Sequence, residues 1–481
     1  MTESAEPGLY APQRRTALVL TGTGTAGAYH AGVLRALHEA GVKLDIVAGR
    51  GIGAVSAMFA AIDGGQSLWS EKGFWQSSGV TSLYAWRPAL RLAFWAVVLA
   101  VLIVAVPLAA IAVGALVFPI DFVVRMLGLG GAGGLTGWYV RLTQQLFAPD
   151  GFPTWLPRLV VLVLGAAALF EVMRTLLSAR RRRQRGPFWW RGVGSPLSSR
   201  EAVAHSWRSL WDLLRGAAAL RQPTPADLAR RYVDLLADNI GQPGFRELLV
   251  TVHDLDAHRD LVFALVAEPR RRDLVRRAST VAAEARRAEV LDLSGPGRSH
   301  LADAVAASLA VPIATDPHAL TFAPDAYWRG ETHRVCDRPG SLTRILEELA
   351  DLGVEQAILV SASPELLGPH ALAAGRLDGK GRLGEYLQST EAAAVRDATR
   401  LVAARTPGIS TFTIRPGHNP IGPFDFSGEY DDRSDRRQPL TELMGQGYQD
   451  AYHQFIEPVV GASGERLGAD NVERRTENGL R

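Results

Sequence analysis

The chain has 481 residues, enough for two or three domains or for one large domain carrying an insertion, and 52 Lys+Arg against 49 Asp+Glu leave a net charge of only +3. The basic residues are almost all arginine, with lysine only at Lys43, Lys72 and Lys380; a coding preference explains that more simply than a nucleic-acid surface, and no nucleic-acid partner is expected. A lone cysteine, Cys336, excludes an internal disulfide framework and a cysteine-rich zinc site.

Residues 1–13 read as a tail without the apolar h-region of a cleavable signal peptide. Thr16–Leu20 (TALVL) is a buried-strand pattern. TGTGTAG follows, and then AYHAGVLRALHEAG, apolar at helical spacing with Gly41 as its C-cap. Gly22-x-Gly24-x-x-Gly27 thus matches the dinucleotide fingerprint in strand–loop–helix context. Asp45, the acidic residue at a plausible distance, opens its strand and so sits at the wrong end of the sheet, whereas Arg50 at the right end suits a 2′-phosphate. Asp45–Met58 (DIVAGRGIGAVSAM) is a second strand–turn–helix, with Gly49, Gly51 and Gly53 at its turn. Its apex residue, Gly51, has no side chain to present.

From 67 to 244 the chain reads as an insertion. Leu92–Ile120 carries no charge over about 29 positions, more than the roughly 20 apolar residues that cross a bilayer. Trp155–Leu177 is a second candidate span, flanked by Arg158, Glu171 and Arg174. Arg87 and Arg91 before the first stretch and RRRRQR (Arg180–Arg185) after the second predict a two-span hairpin, with the main domain cytoplasmic and 121–152 on the far side. The arginine run suits anionic lipid or simply fixes topology. FWW (188–190), HSWRSLWDLL (205–214) and the TPADLARRYVDLLADNI helix read either as amphipathic pieces lying on the bilayer or as a helical subdomain with an aromatic core. Beyond them, the arginines from Arg270 to Arg287 and DGKGRLGEYL (378–387) read as solvated surface, and 461–481 as a disordered tail.

The pair TGTGTAGAYHAGVLRAL and DIVAGRGIGAVSAM resembles the patatin-like phospholipases, which set a glycine-rich oxyanion loop about two dozen residues before a nucleophile elbow. Three later stretches extend the likeness: LLVTVHDLDAHRDLVFALVAE (248–268), LADAVAASLAVPIATDPHAL (301–320) and EQAILVSAS (355–363). The C-terminal LTELMGQGYQDAYHQFIEPVV is also similar to bacterial members. The resemblance covers 14–66 and 245–460. It implies an α/β fold with a doubly wound, mainly parallel sheet, interrupted by the transmembrane hairpin and helical subdomain. It also implies an oxyanion loop at Gly22, Gly24, Gly27 and Ala28, an elbow at Gly49, Gly51 and Gly53, and a Ser–Asp dyad.

Against that pattern, the nucleophile position falls on Gly51, and Ala26 stands where the loop usually carries Lys or Arg. The dyad aspartate aligns with Arg329 or with Asp337; the local aromatic and glycine pattern favours Arg329, and the spacing to the next strand favours Asp337. Ser56 reads as helix packing. Thr23 and Thr25 read as loop satisfaction, Cys336 as a buried structural thiol, and His30, His253 and His333 lack metal spacing. The expectation is a membrane-anchored pseudoenzyme with no cofactor, whose partner is membrane lipid or an acyl ligand in a retained acyl-sized pocket. The alternatives are an active lipid acyl hydrolase with another nucleophile, and an NAD(P)-binding protein using the GTGTAG loop.

Overall fold

A computed structural model describes residues 10–128, 134–148, 155–181, 194–365, 378–431 and 436–461. The chain forms two compact units, Met1–Ala85 with Leu197–Arg481, and Trp86–Pro196.

The larger unit is built on a nine-stranded sheet. Its first strand, β1 (Thr16–Thr21), is buried at every position and feeds helix α1 (Ala26–Glu39). The short β2 (Ile46–Gly49) then feeds α2 (Ile52–Ala61). Both strands are continuous apolar runs because both faces of the sheet are covered. Inside the smaller unit lie α3 (Pro88–Met126), α4 (Leu135–Leu146) and α5 (Trp155–Arg181).

Back in the larger unit, α6 (Arg200–Arg215) and α7 (Pro225–Asn239) precede the antiparallel pair β3 (Glu247–Asp254) and β4 (Arg259–Leu265). Then come β5 (Val290–Asp292), α8 (Leu301–Ser308), β6 (His318–Thr321) and β7 (Thr332–Cys336). The chain ends with α9 (Ser341–Asp351), β8 (Gln356–Ser361), α10 (Gly379–Arg405), β9 (Ser410–Ile414) and α11 (Leu440–Ala451). The strand order is β9–β8–β1–β2–β3–β4–β5, with β7 joining β3 to β6. The β9–β8–β1–β2–β3 block is parallel throughout.

Alternation along β1 sorts the core into two layers. Leu18 and Leu20 face α1, α2 and α6–α8, whereas Ala17 and Val19 face α9 and α10. The mainly parallel α/β architecture is therefore the one implied by the resemblance.

The aromatic helices after the insert belong to the larger unit's core. Trp207 on α6 is 1% exposed, and Tyr232 on α7 is fully buried with its hydroxyl donating to the Met58 carbonyl at 2.7 Å. Of the two readings of these helices, the aromatic-core one holds. The compact insert is accordingly 86–196 rather than 67–244.

Two other surface readings hold only in part. Arg286 is buried between Glu289 and Glu348, which Arg344 also bridges, so part of the arginine-rich stretch forms an internal ion network. DGKGRLGEYL opens α10, whose Gly384 and Leu387 are buried.

Within the smaller unit, α3 packs against α4 and α5. Tyr139 donates to the Ala110 carbonyl at 2.6 Å, and Thr136 donates to Asp121 at 2.6 Å. Most of the apolar length of α3 is exposed, including Phe94 at 62%, Val101 at 62% and Ile111 at 67%. Among the described residues α3 is the single helix long and apolar enough to cross a membrane. The described residues therefore support one candidate span, and the two-span expectation is not supported. Arg182–Arg185, FWW (188–190) and 462–481 lie outside the described residues.

If α6 is a core helix, Trp207→Ala should destabilise the larger unit by about 3–5 kcal/mol, the usual cost of emptying a buried aromatic site. Chemical denaturation followed by fluorescence measures this; an unchanged midpoint with reduced vesicle binding would return α6 to the bilayer.

Candidate functional site

At the end of β2 the backbone turns sharply through Gly51, at φ 57° and ψ −138°, a region that non-glycine residues enter only under strain. Its flanking glycines serve close packing. A Cβ on Gly49 would lie 2.4 Å from the Gly53 carbonyl oxygen, and one on Gly53 would lie 2.0 Å from that of Leu20. The turn therefore has the geometry of a nucleophile elbow, with α2 pressed against β1 and an apex that points to the carboxyl edge of the sheet.

The first glycine loop closes over that apex. A Cβ on Gly51 would meet the Gly22 carbonyl oxygen at 2.2 Å and Oδ2 of Asp337 at 3.0 Å. The same Gly22 oxygen accepts from the Ile52 amide at 3.0 Å. In an elbow hydrolase the amide after the nucleophile serves the oxyanion, so here a carbonyl occupies that donor. Further along, Ala26 donates to Thr23, Gly27 to Gly24 and Ala28 to Thr25, at 2.9–3.3 Å. Thr25 gives its amide to Pro423 at 3.0 Å and its hydroxyl to Gly422 at 2.9 Å. Gly22 and Gly24 thus lie in the turn between β1 and α1, and Gly27 and Ala28 in the first turn of α1.

Of the two dyad candidates, Asp337 is the one beside Gly51. Arg329 sits exposed in the turn before β7 with positive φ, and its alignment with the dyad is corrected. The tripeptide after Asp337, Arg-Pro-Gly, departs from the family's Gly-Gly, which hid it in the sequence.

Behind the apex lies a buried charge cluster. Arg50, fully buried, reaches Asp337 at 3.3 Å and pairs with Glu391 on α10. Burial raises the Asp337 carboxyl to about 6; Arg50 pulls it down, Glu391 pushes it up, and the amides of Arg338 and Gly51 pull it down. On Arg50 burial opposes the charge, yet the two carboxylates outweigh it and hold the guanidinium above its ordinary value. Committed to two acids, Arg50 has no freedom to take a 2′-phosphate, which weakens the nucleotide reading.

The other candidate nucleophiles fail on access. Ser56 donates to Nδ1 of His30 at 3.3 Å while His30 Nε2 donates to the Thr21 carbonyl at 2.8 Å, an arrangement resembling an activated serine. Both side chains are sealed, however, at 1% and 0% exposure, and burial lowers the imidazole to about 4. Cys336 is buried beside Asp337, and desolvation pushes its thiol up to about 12. His253 pairs with Asp260 and His333 with Asp254. No group of three or more potential metal ligands occurs among the described residues.

Next to the loop is a small cleft lined by Thr23, Thr25, Ser363, Gln388, Glu391 and Asn419, among others, with a cavity volume of about 20 Å³. That holds about one water-sized group and not an acyl chain. Glu391 escaped the sequence reading, although Leu387, Glu391, Val395, Ala398 and Val402 form one buried stripe of α10.

Because Asp337 binds its proton more tightly folded than unfolded, stability should fall as pH rises from about 4 to about 6, by roughly 3 kcal/mol, and level off above. Asp337→Asn should flatten that slope in thermal denaturation scans; a slope that persists would locate the titration elsewhere.

A comparison with curated proteins finds no match. Among solved structures, VipD from Legionella pneumophila is 14% identical over 94% of this chain and 67% of its own, with a TM-score of 0.33, too low to carry a structural argument. The model of the patatin-like phospholipase family matches residues 18–337, from β1 to Asp337 itself. That span is well over half of the chain, and the protein belongs to the patatin-like phospholipase family.

Proposed function

We propose that this chain is a membrane-attached patatin-like protein that engages lipid without hydrolysing it. Family membership ties the chain to lipid-related chemistry of hydrolase type. The observation that carries the silent reading is the Gly51 apex: Asp337 is in reach as a base, but the apex residue has no hydroxyl for it to activate. Deleting the nucleophile of a serine hydrolase costs on the order of 10⁶ in kcat, and glycine cannot form an acyl intermediate. The Gly22 carbonyl adds a second obstacle by holding the Ile52 amide.

Attachment to the bilayer is assigned to α3, whose exposed apolar side chains suit lipid. Arg87 and Arg91 at the start of α3 favour the cytoplasmic side for its N-terminal end.

A fluorophosphonate probe should label no residue, and phospholipid and short acyl esters should not turn over above background; hydrolysis by the unaltered protein would refute the silent reading. Gly51→Ser should still give no turnover and should lower stability by about 1–3 kcal/mol, the cost of a side chain in that backbone region.

Arginine at both Leu102 and Ile111 should cost about 2.5–3.5 kcal/mol each in the bilayer and shift the protein into the alkaline-carbonate supernatant of membrane preparations. Unchanged membrane retention of that double variant would remove α3 as the anchor.

A further inference from the structure

The cleft beside the elbow sits where the sheet's connections change direction. From β1 the chain steps through β2 to β3 on one side, and from β8 it steps to β9 on the other. Open α/β sheets hold ligands in the crevice outside the carboxyl ends of the strands at such a point. Here the crevice is walled by Thr23 and Thr25 after β1, by Ser363 after β8, and by Gln388 and Glu391 of α10.

Glu391 is the unusual member. It is 4% exposed, one carboxylate oxygen pairs with Arg50, and Oε1 has no hydrogen-bond partner among the described residues. Around Arg50 the cluster holds two carboxylates, Asp337 and Glu391, against one guanidinium. A buried carboxylate oxygen without a donor, in a cluster with an excess of acid, calls for a positive donor. The Thr23 hydroxyl and the Gln388 side chain line the same cleft and can each accept a hydrogen bond.

Size narrows the chemistry. A cavity of about 20 Å³ admits a group the size of water and excludes an acyl chain or a trimethylammonium head. Nothing around it offers three ligands for a metal ion among the described residues. We propose that this cleft binds a primary ammonium group, with the Glu391 carboxylate as counter-ion and Thr23 at its rim, the remainder of the ligand extending outward. Two sources share that chemistry, a free small amine and the headgroup of an ethanolamine lipid. The proposal deepens the lipid-engaging reading, but only its lipid-borne arm rests on that reading.

The test uses the full chain in detergent, with ethanolamine and choline as probes, followed by thermal shift. It also uses vesicles of phosphatidylcholine with and without phosphatidylethanolamine, followed by flotation. Ethanolamine should raise the unfolding temperature in a saturable way and choline should not. Glu391→Gln should weaken ethanolamine binding at least tenfold. Should that variant fail to fold because Arg50 loses its partner, Thr23→Val at the cleft rim should weaken binding several-fold with the unfolding temperature of the free protein unchanged. Stabilisation by ethanolamine without preference for ethanolamine vesicles identifies a soluble amine. Preferential flotation abolished by these substitutions identifies the lipid. Equal responses to ethanolamine and choline together with indifference to vesicle headgroup overturn the proposal, and they leave the hydrolytic silence, read by the probe and ester assays, untouched.

Discussion

One backbone hydrogen bond, from the Ile52 amide to the Gly22 carbonyl, governs the site. It ties the turn after β1 to the turn after β2 across the top of two neighbouring parallel strands. With that contact made, the space above Gly51 is filled by peptide oxygen, and only a residue lacking Cβ fits beneath it. The missing side chain and the closed loop are therefore one feature: each permits the other. The glycines at 49 and 53 remain necessary because strand and helix backbones touch there whether or not a nucleophile is present.

The second constraint is electrostatic. A guanidinium with no exposed surface must be matched by acids, and Arg50 draws one from the end of β7 and another from the middle of α10. Removing one partner from such a buried set leaves an uncompensated charge, which is far costlier than losing a surface pair. The cluster thereby fastens α10, a late element of the chain, to an elbow made more than 300 residues earlier. A comparable network of Arg286, Arg344, Glu289 and Glu348 joins the stretch before β5 to α9.

Much of the fold was legible because its signals are local. Strand–glycine–helix patterns at 16–39 and 46–61 and the apolar runs at 248–265 and 356–361 became the elements they suggested. What escaped depends on tertiary contact. Asp337 was ambiguous beside Arg329 because its place opposite Gly51 is set by β7 pairing with β3, a register invisible in single-sequence spacing. Glu391 was overlooked because a carboxylate in a polar-rich segment reads as surface until its buried arginine is known. The helices at 200–239 show the converse: a strong apolar stripe says that a face is covered, not by what.

The interrupted sheet has a consequence for how the molecule is made. β1 lies in the interior of the sheet, with β2 on one side and β8 on the other, and its register with β8 joins Thr16 to Gln356. The β8 partner is synthesised only after the entire α3–α5 segment has left the ribosome. During that interval β1 presents an unpaired parallel edge, the kind of surface that invites misassociation. Closure of the sheet around β1 therefore waits until the chain beyond the insert has been made.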